Sequence, residues 1–172
     1  MIMDLKALVR DIPDFPKPGI VFKDITPLLQ NPEAFKAIAG KFIERYRDKP
    51  VDVIVGIESR GFLFGSVLAY ALGKSFAIMR KKGKLPYTTV SYTYKLEYGD
   101  DTIEMHEDAI SKGARVLIVD DLLATGGTAA AAAHLVEIMG GKVEELAFVI
   151  ELEFLGGRKQ LKDYPVYSQM QF

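Results

Sequence analysis

The chain predicts an α/β fold, a parallel twisted sheet flanked by helices on both faces, and three observations carry that expectation. Apolar runs of strand length recur at Val51–Ile57, Ser75–Met79, Val116–Val119 and Val143–Leu152, and apolar runs without polar alternation mark strands buried on both faces. Between them lie stretches of helical periodicity, from Phe35 to Tyr46, from about Phe62 to Leu72, and along the alanines after Thr128. Polar residues close two of the strands, Glu58-Ser59-Arg60-Gly61 and Asp120-Asp121, at the sheet edge where open α/β folds take their ligands. The alternation implies right-handed crossovers.

Asp4 to Asp11 reads as a short helix with Leu5, Leu8, Val9 and Ile12 on one face. Pro13, Pro16, Pro18 and Gly19 then stiffen a connection into Ile20–Phe22, a short extended piece ending in Lys23-Asp24. Asn31-Pro32 supplies an N-cap with proline at the first helical position, and Phe35, Ile38, Ala39, Phe42, Ile43 and Tyr46 follow at helical spacing. Gly73 closes the helix that follows the Glu58-Ser59-Arg60-Gly61 strand end. Gly61 and Gly65 form a GxxxG spacing, which in a soluble helix predicts close packing rather than dimerisation.

Arg80 to Asp101 is long and polar, and connections of that length in compact domains serve as lids or binding loops. Thr88–Tyr94 within it is β-prone, so part of it is expected to pair as a hairpin. Thr102–His106 alternates as a further strand, Ile110–Gly113 turns the chain, and Val166–Phe172 is expected to add an edge strand. His106 and His134 are each alone in their element and read as structural or exposed.

With 172 residues, 49% hydrophobic and 26% charged, the chain fits a single domain spanning 1–172. Its longest apolar run, Gly61–Leu72, is too short for a bilayer, and the N-terminal MIMDLKALVRDIPD carries charges where a signal peptide needs an apolar core. A cytoplasmic location is therefore expected. The absence of cysteine excludes disulfides, a thiol nucleophile and, with only two histidines, a structural zinc site. A net charge of -1 argues against bulk nucleic-acid or membrane-surface binding. No GxxxxGK[ST] motif is present, which removes a Walker-type NTPase.

Chemistry concentrates in Arg115–Thr128, RVLIVDDLLATGGT. Its order is buried strand, acid pair, Gly/Thr turn, helix. Unpaired amides at a helix start and the macrodipole favour an anion there, and Gly126 and Gly127 let backbone approach it. Thr125 and Thr128 add hydroxyl donors, whereas Asp120 and Asp121 can only accept, which suits ribose hydroxyls or a hydrated cation. Together these groups describe a site for a sugar phosphate. Arg80, Lys81, Lys82 and Lys84 make a local positive patch in a near-neutral chain, suited to a polyanionic substrate.

VLIVDDLLATGGT closely resembles the PRPP-binding signature of type I phosphoribosyltransferases (PRPP is 5-phosphoribosyl-1-pyrophosphate), and its LLATGGT ending is similar to that of the adenine-specific members. The resemblance implies that Asp120 and Asp121 hold the ribose hydroxyls and that Ala124, Thr125, Gly126, Gly127 and Thr128 cradle the 5-phosphate. ESRGF resembles the family's pyrophosphate loop, with Arg60 holding the leaving group and Glu58, Ser59 and Gly61 shaping the turn. RKKGKLP and LEYG resemble the flexible catalytic loop, here 80–101. From it Arg80 is expected to reach pyrophosphate across a homodimer interface, Lys81 and Lys84 to bind PRPP, and Glu97, beside Tyr98, to face the base and handle its proton.

DFPKPGIVFKDITPLL resembles the hood, residues 1–30, in which the Phe22 ring stacks on adenine and backbone groups of Val21 and Lys23 read its edge. ELEFLGGRKQL resembles the family's C-terminal segment. The implied reaction converts adenine and PRPP to AMP and pyrophosphate, with Mg2+ bound through PRPP oxygens and water rather than by a protein metal site. The alternatives are a regulator of the same fold that senses PRPP without turnover, or a transferase for another purine. The regulator usually needs an added nucleic-acid-binding surface, for which this length leaves no room.

Overall fold

The buried strand predicted at Val116–Val119 lies inside a seven-stranded sheet in the computed structural model of the chain, which describes residues 4–96 and 99–172. The chain divides after Glu44 into two compact units. In the first, β1 (Arg10–Pro13) and β2 (Val21–Asp24) form an antiparallel pair, followed by α1 (Thr26–Gln30) and α2 (Pro32–Tyr46). The helix expected over Asp4–Asp11 is only a 3-10 turn at Lys6–Leu8. Pro13 disfavours helix for the residue before it, and directly opposed charges hold the segment extended instead: Arg10 faces Asp24 at 2.7 Å and Lys23 faces Asp11 at 2.6 Å. The Asn31 cap forms as expected, its Oδ1 accepting from the amides of Glu33 and Ala34 at 3.1 Å each.

The second unit carries β3 (Val53–Ile57), α3 (Gly61–Leu72), β4 (Ser75–Lys81), β5 (Thr89–Lys95), β6 (Asp100–His106), β7 (Arg115–Leu123), α4 (Gly127–Ile138), β8 (Lys142–Glu151) and β9 (Val166–Gln171). The sheet order is β5-β6-β4-β3-β7-β8-β9. Its five strands β4-β3-β7-β8-β9 are parallel, and β9 is the expected edge strand. The sheet as a whole is mixed rather than parallel, because the polar segment after β4 folds into β5 and β6, which pair antiparallel with each other and extend the sheet from β4. The alternating Thr89–Lys95 suits a half-exposed strand of such a ribbon, which leaves 82–88 as the connection that follows β4.

Helices cover both faces. Val53, Val55 and Ile57 of β3 pack in one cluster with Ala129, Ala132, Leu135 and Val136 of α4. Gly56, on the opposite face by strand alternation, lies under α3. The GxxxG glycines permit that contact: a Cβ on Gly65 would sit 2.8 Å from the Phe76 ring, with Gly56 Cα at 3.5 Å. Gly73 at φ +62° ends α3 in the left-handed conformation, its amide reaching the carbonyls of Ala69 and Tyr70. Gly65→Val should therefore lower the unfolding free energy by about 1–3 kcal/mol through overpacking, read as a lower urea midpoint. An unchanged midpoint would show that α3 does not need glycine there.

Candidate active site

β7 pairs with β3 only as far as Val119, opposite Gly56, but stays on β8 through Leu123. Asp120 and Asp121 thus stand where the strand has lost one neighbour and kept the other. β3 continues through α3 to β4 on one side, and β7 through α4 to β8 on the other, so the β3/β7 gap is the sheet's topological switch point. A pocket of about 350 Å³ opens there. Ser59 and Arg60 line one side, the acid pair its floor, and Ala124 to Thr128 the other side, with Lys81 beside them.

Close backbone approach fixes both loops. A Cβ on Gly61 would lie 2.6 Å from the Val119 carbonyl and 3.0 Å from Asp120 Oδ1, so only glycine seats the Arg60 turn against β7. Arg60 Nε then reaches Asp121 Oδ2 at 2.8 Å, and the Asp121 amide donates to Asp120 Oδ1 at 2.9 Å. The Glu58-Ser59 peptide in this turn is cis. Across the pocket Gly126 takes φ +87°, and a Cβ on it would meet the Gly157 carbonyl at 2.4 Å. A Cβ on Gly157 would in turn meet the Ala124 carbonyl at 2.4 Å, while Gln160 Nε2 donates to the Thr125 carbonyl at 3.0 Å. The segment after β8 thus braces the loop from behind, and the first-turn amides of α4 stand at the pocket with no preceding helical carbonyl to accept them.

Burial, together with the charge of Asp121, pushes the Asp120 carboxyl well above the usual carboxylate range. Asp121 is raised too, chiefly by burial, with Arg60 opposing. Glu58 behaves oppositely. Burial would raise it, but hydrogen bonds from Lys84 Nζ, the Lys81 amide and Arg80 outweigh that and bring it to about 2. Lys84 Nζ contacts Glu58 Oε1, the Lys81 amide donates to Oε2 at 2.9 Å, and the Arg80 guanidinium lies 3.4 Å away. Of the expected cation cluster only Lys81 lines the pocket, while Arg80 and Lys84 gather on Glu58 within this chain.

The hood residues lie on β2 in the first unit: Val21 is 48% exposed, the Phe22 ring meets Phe15 edge-on at 5.3 Å, and Lys23 pairs with Asp11. Glu97 and Tyr98 fall outside the described residues. His106 meets Tyr87 edge-on and His134 lies tilted against Tyr92, and neither lines the pocket. Sequence reasoning gave no role to Gly157 and Gln160 behind the loop or to Tyr94, whose hydroxyl lies 3.0 Å from Thr128 Oγ1. The only local signals were the Gly156-Gly157 pair and a tyrosine at an inward strand position. Among the described residues, no three acids or histidines converge as a metal cage.

A phosphoribosyl transferase domain is matched over residues 24–169. The adenine phosphoribosyltransferase of Chloroflexus aurantiacus is 56% identical over 169 residues, covering 98% of each chain. The crystal structure of the Thermoanaerobacter pseudethanolicus adenine phosphoribosyltransferase superposes with a TM-score of 0.95 at 52% identity, covering 98% of each chain. That of the Saccharomyces cerevisiae enzyme, complexed with adenine and an imino-altritol 1,6-bisphosphate, gives 0.88 at 47% identity over 95% of each.

A raised carboxyl pKa makes the acid pair a pH-dependent liability of the empty protein. An acid whose folded pKa exceeds its unfolded value adds stability that is complete below the unfolded pKa and is lost as pH rises through the folded one. Asp120→Asn should therefore raise the Tm at pH 7.5, and the gain should shrink as pH falls toward the usual carboxylate range. A Tm gain independent of pH would contradict the raised pKa.

Proposed function

The chain belongs to the phosphoribosyl transferase family, and from that premise we infer that it transfers the 5-phosphoribosyl group of PRPP to adenine, giving AMP and pyrophosphate. The observation that carries this reading is the switch-point pocket, where an acid pair, a helix N-terminus and Arg60 face one cavity. Adenine as the base rests on relatives that match nearly the whole chain at more than half identity.

In the proposed mechanism Asp120 and Asp121 accept hydrogen bonds from the ribose hydroxyls, and the amides of Ala124 to Thr128 hold the 5-phosphate. Displacement at the anomeric carbon builds positive character on the sugar and negative charge on the departing pyrophosphate. The buried acids oppose the first charge, and Arg60, Ser59 and Lys81 receive the second. Lys84 and the partner's Arg80 join them once released from Glu58. Phe22 stacks on adenine, Val21 and Lys23 offer backbone groups to its edge, and Glu97 takes the ring proton; the support for these roles is the resemblance of their motifs. RKKGKLP likewise supports a homodimer in which Arg80 serves the partner's pocket.

The pocket fits Mg2+ carried in by substrate. Asp121 is already engaged by Arg60 and Asp120 accepts the Asp121 amide, so the acids are placed to reach a metal through water at most. Bound magnesium would neutralise pyrophosphate charge.

Pyrophosphate release from PRPP, measured in parallel with adenine, guanine, hypoxanthine, xanthine and orotate, tests the reaction and its base together. Adenine alone should support turnover, and replacing Asp120 and Asp121 together by Asn should lower it at least ~100-fold in a folded protein. Comparable turnover with a second base, or near-normal turnover in the double variant, would sink the corresponding part. Phe22→Ala should raise the KM for adenine while sparing PRPP, since ring stacking contributes ~1–3 kcal/mol. Equal weakening of both substrates would make Phe22 a packing residue.

A further inference from the structure

A chain of hydrogen-bonding groups runs from the Ala124–Thr128 loop to Lys81, a second lining residue of the pocket. Thr128 Oγ1 and the Tyr94 hydroxyl are 3.0 Å apart, and either can donate. The Tyr94 hydroxyl also lies 3.2 Å from Asp101 Oδ2, where it must be the donor, and Lys81 Nζ contacts the same carboxylate oxygen. Lys81 lines the pocket, and its amide holds Glu58. Tyr94 is 9% exposed and sits against Gly127, so water offers little replacement for these bonds.

A hydroxyl has one proton. While Tyr94 donates to Asp101, its 3.0 Å contact with Thr128 is a hydrogen bond only if Thr128 spends its own proton on Tyr94, which leaves none for a ligand. For Thr128 to donate to a phosphate oxygen and keep that buried bond, Tyr94 must turn its proton back to Thr128 Oγ1. Asp101 then loses a donor and keeps Lys81 as the remaining partner of that oxygen. The converse holds as well: an anion that draws Lys81 away leaves Asp101 dependent on the Tyr94 proton, which returns the Thr128 proton to Tyr94.

Resting on the reading of this pocket as a PRPP site, we propose that Tyr94 is a positioning residue whose single hydroxyl proton sets the 5-phosphate loop against the pyrophosphate side, so that a phosphate monoester in the loop weakens pyrophosphate binding. The protonation states suit the role. Burial would raise Asp101, but Lys81 and the Thr102 amide more than offset it, so the carboxyl is held below its usual range and stays ionised. Burial raises the Tyr94 hydroxyl, which keeps its proton at neutral pH. In intact PRPP the two anions are tethered and must bind together. Once the bond between sugar and pyrophosphate breaks, the antagonism favours departure of pyrophosphate while the nucleotide's phosphate is still in the loop. Because the coupling is a binding free energy, each ligand must weaken the other by the same factor.

The test is calorimetric titration of pyrophosphate in Mg2+, with and without saturating ribose 5-phosphate, on the wild type, Tyr94→Phe and Asp101→Asn. Ribose 5-phosphate should weaken pyrophosphate at least ~5-fold in the wild type, and that factor should fall below ~2-fold in each variant. Direct repulsion between the two anions is common to all three proteins, so the difference between factors isolates the chain. Asp101→Asn breaks it from the other end and carries the comparison if Tyr94→Phe folds poorly. A wild type that binds both ligands without antagonism, or variants with the wild-type factor, overturns the proposal and leaves the site assignment standing. A wild type that binds neither ligand overturns the site assignment and the proposal with it.

Discussion

Placing a buried carboxylate beside a half-buried one in the second half of β7 is the constraint on which the site depends. An ionised carboxylate withdrawn from water is unfavourable unless it is paired, and a neighbouring acid makes it worse. Arg60 pairs directly with Asp121, while Asp120 accepts the Asp121 amide and feels Arg60 only at longer range. The pair therefore keeps acceptor capacity that faces the pocket. A ligand that brings paired hydroxyl donors relieves it, so binding strength and the instability of the empty site share one origin. Loss of the β3 ladder after Val119 makes this possible, because it opens room beside the acids without ending β7.

Placing ligand groups around such a pair requires loops that do not drift, and both are fixed by contacts too close for any side chain. Gly61 lies on the β7 backbone, and Gly126 and Gly157 lie on each other's loops. Backbone in contact with backbone leaves few alternative positions. The Arg60 turn is thereby referred to the same strand that bears the acids, and the Ala124–Thr128 loop to the segment that follows β8. Glycine in these positions serves close approach, and only Gly126 also needs its left-handed conformation.

What could be read from sequence was local. The Asn31 cap, the β7 run, the helix stop at Gly73 and the strand-acid-turn-helix order are each encoded within one turn or strand, and the structure holds them. The GxxxG spacing correctly indicated close packing, although its partner, the Phe76 ring, came from another strand. Failures arose where distant pairing overrode local pattern. Leu5, Leu8, Val9 and Ile12 show a helical stripe, yet charge pairs with β2 draw Arg10–Pro13 into a strand. The parallel sheet gained two antiparallel strands because β6 found β4 across a polar connection. Gly157, Gln160 and Tyr94 act on residues more than thirty positions away, and no spacing rule links them to the loop they brace.

Glu58 shows how a residue that reads as a turn-former can govern the charges around it. It gathers Arg80, Lys84 and the Lys81 amide, and these contacts keep it ionised down to about pH 2. An anion entering the pocket therefore meets Arg60 and Lys81 at once but must compete with a carboxylate for Arg80 and Lys84. A single phosphate replacing Glu58 exchanges one anionic partner for another and gains little. A group with charge on two phosphates can satisfy both cations and still hold Arg60, so the advantage grows with charge and with reach. The same exchange frees Glu58 beside the departing charge, where repulsion between the two favours return of the cations to the carboxylate once the anion leaves. Preference for a polyanion and its release would thus both follow from a carboxylate placed to compete with it.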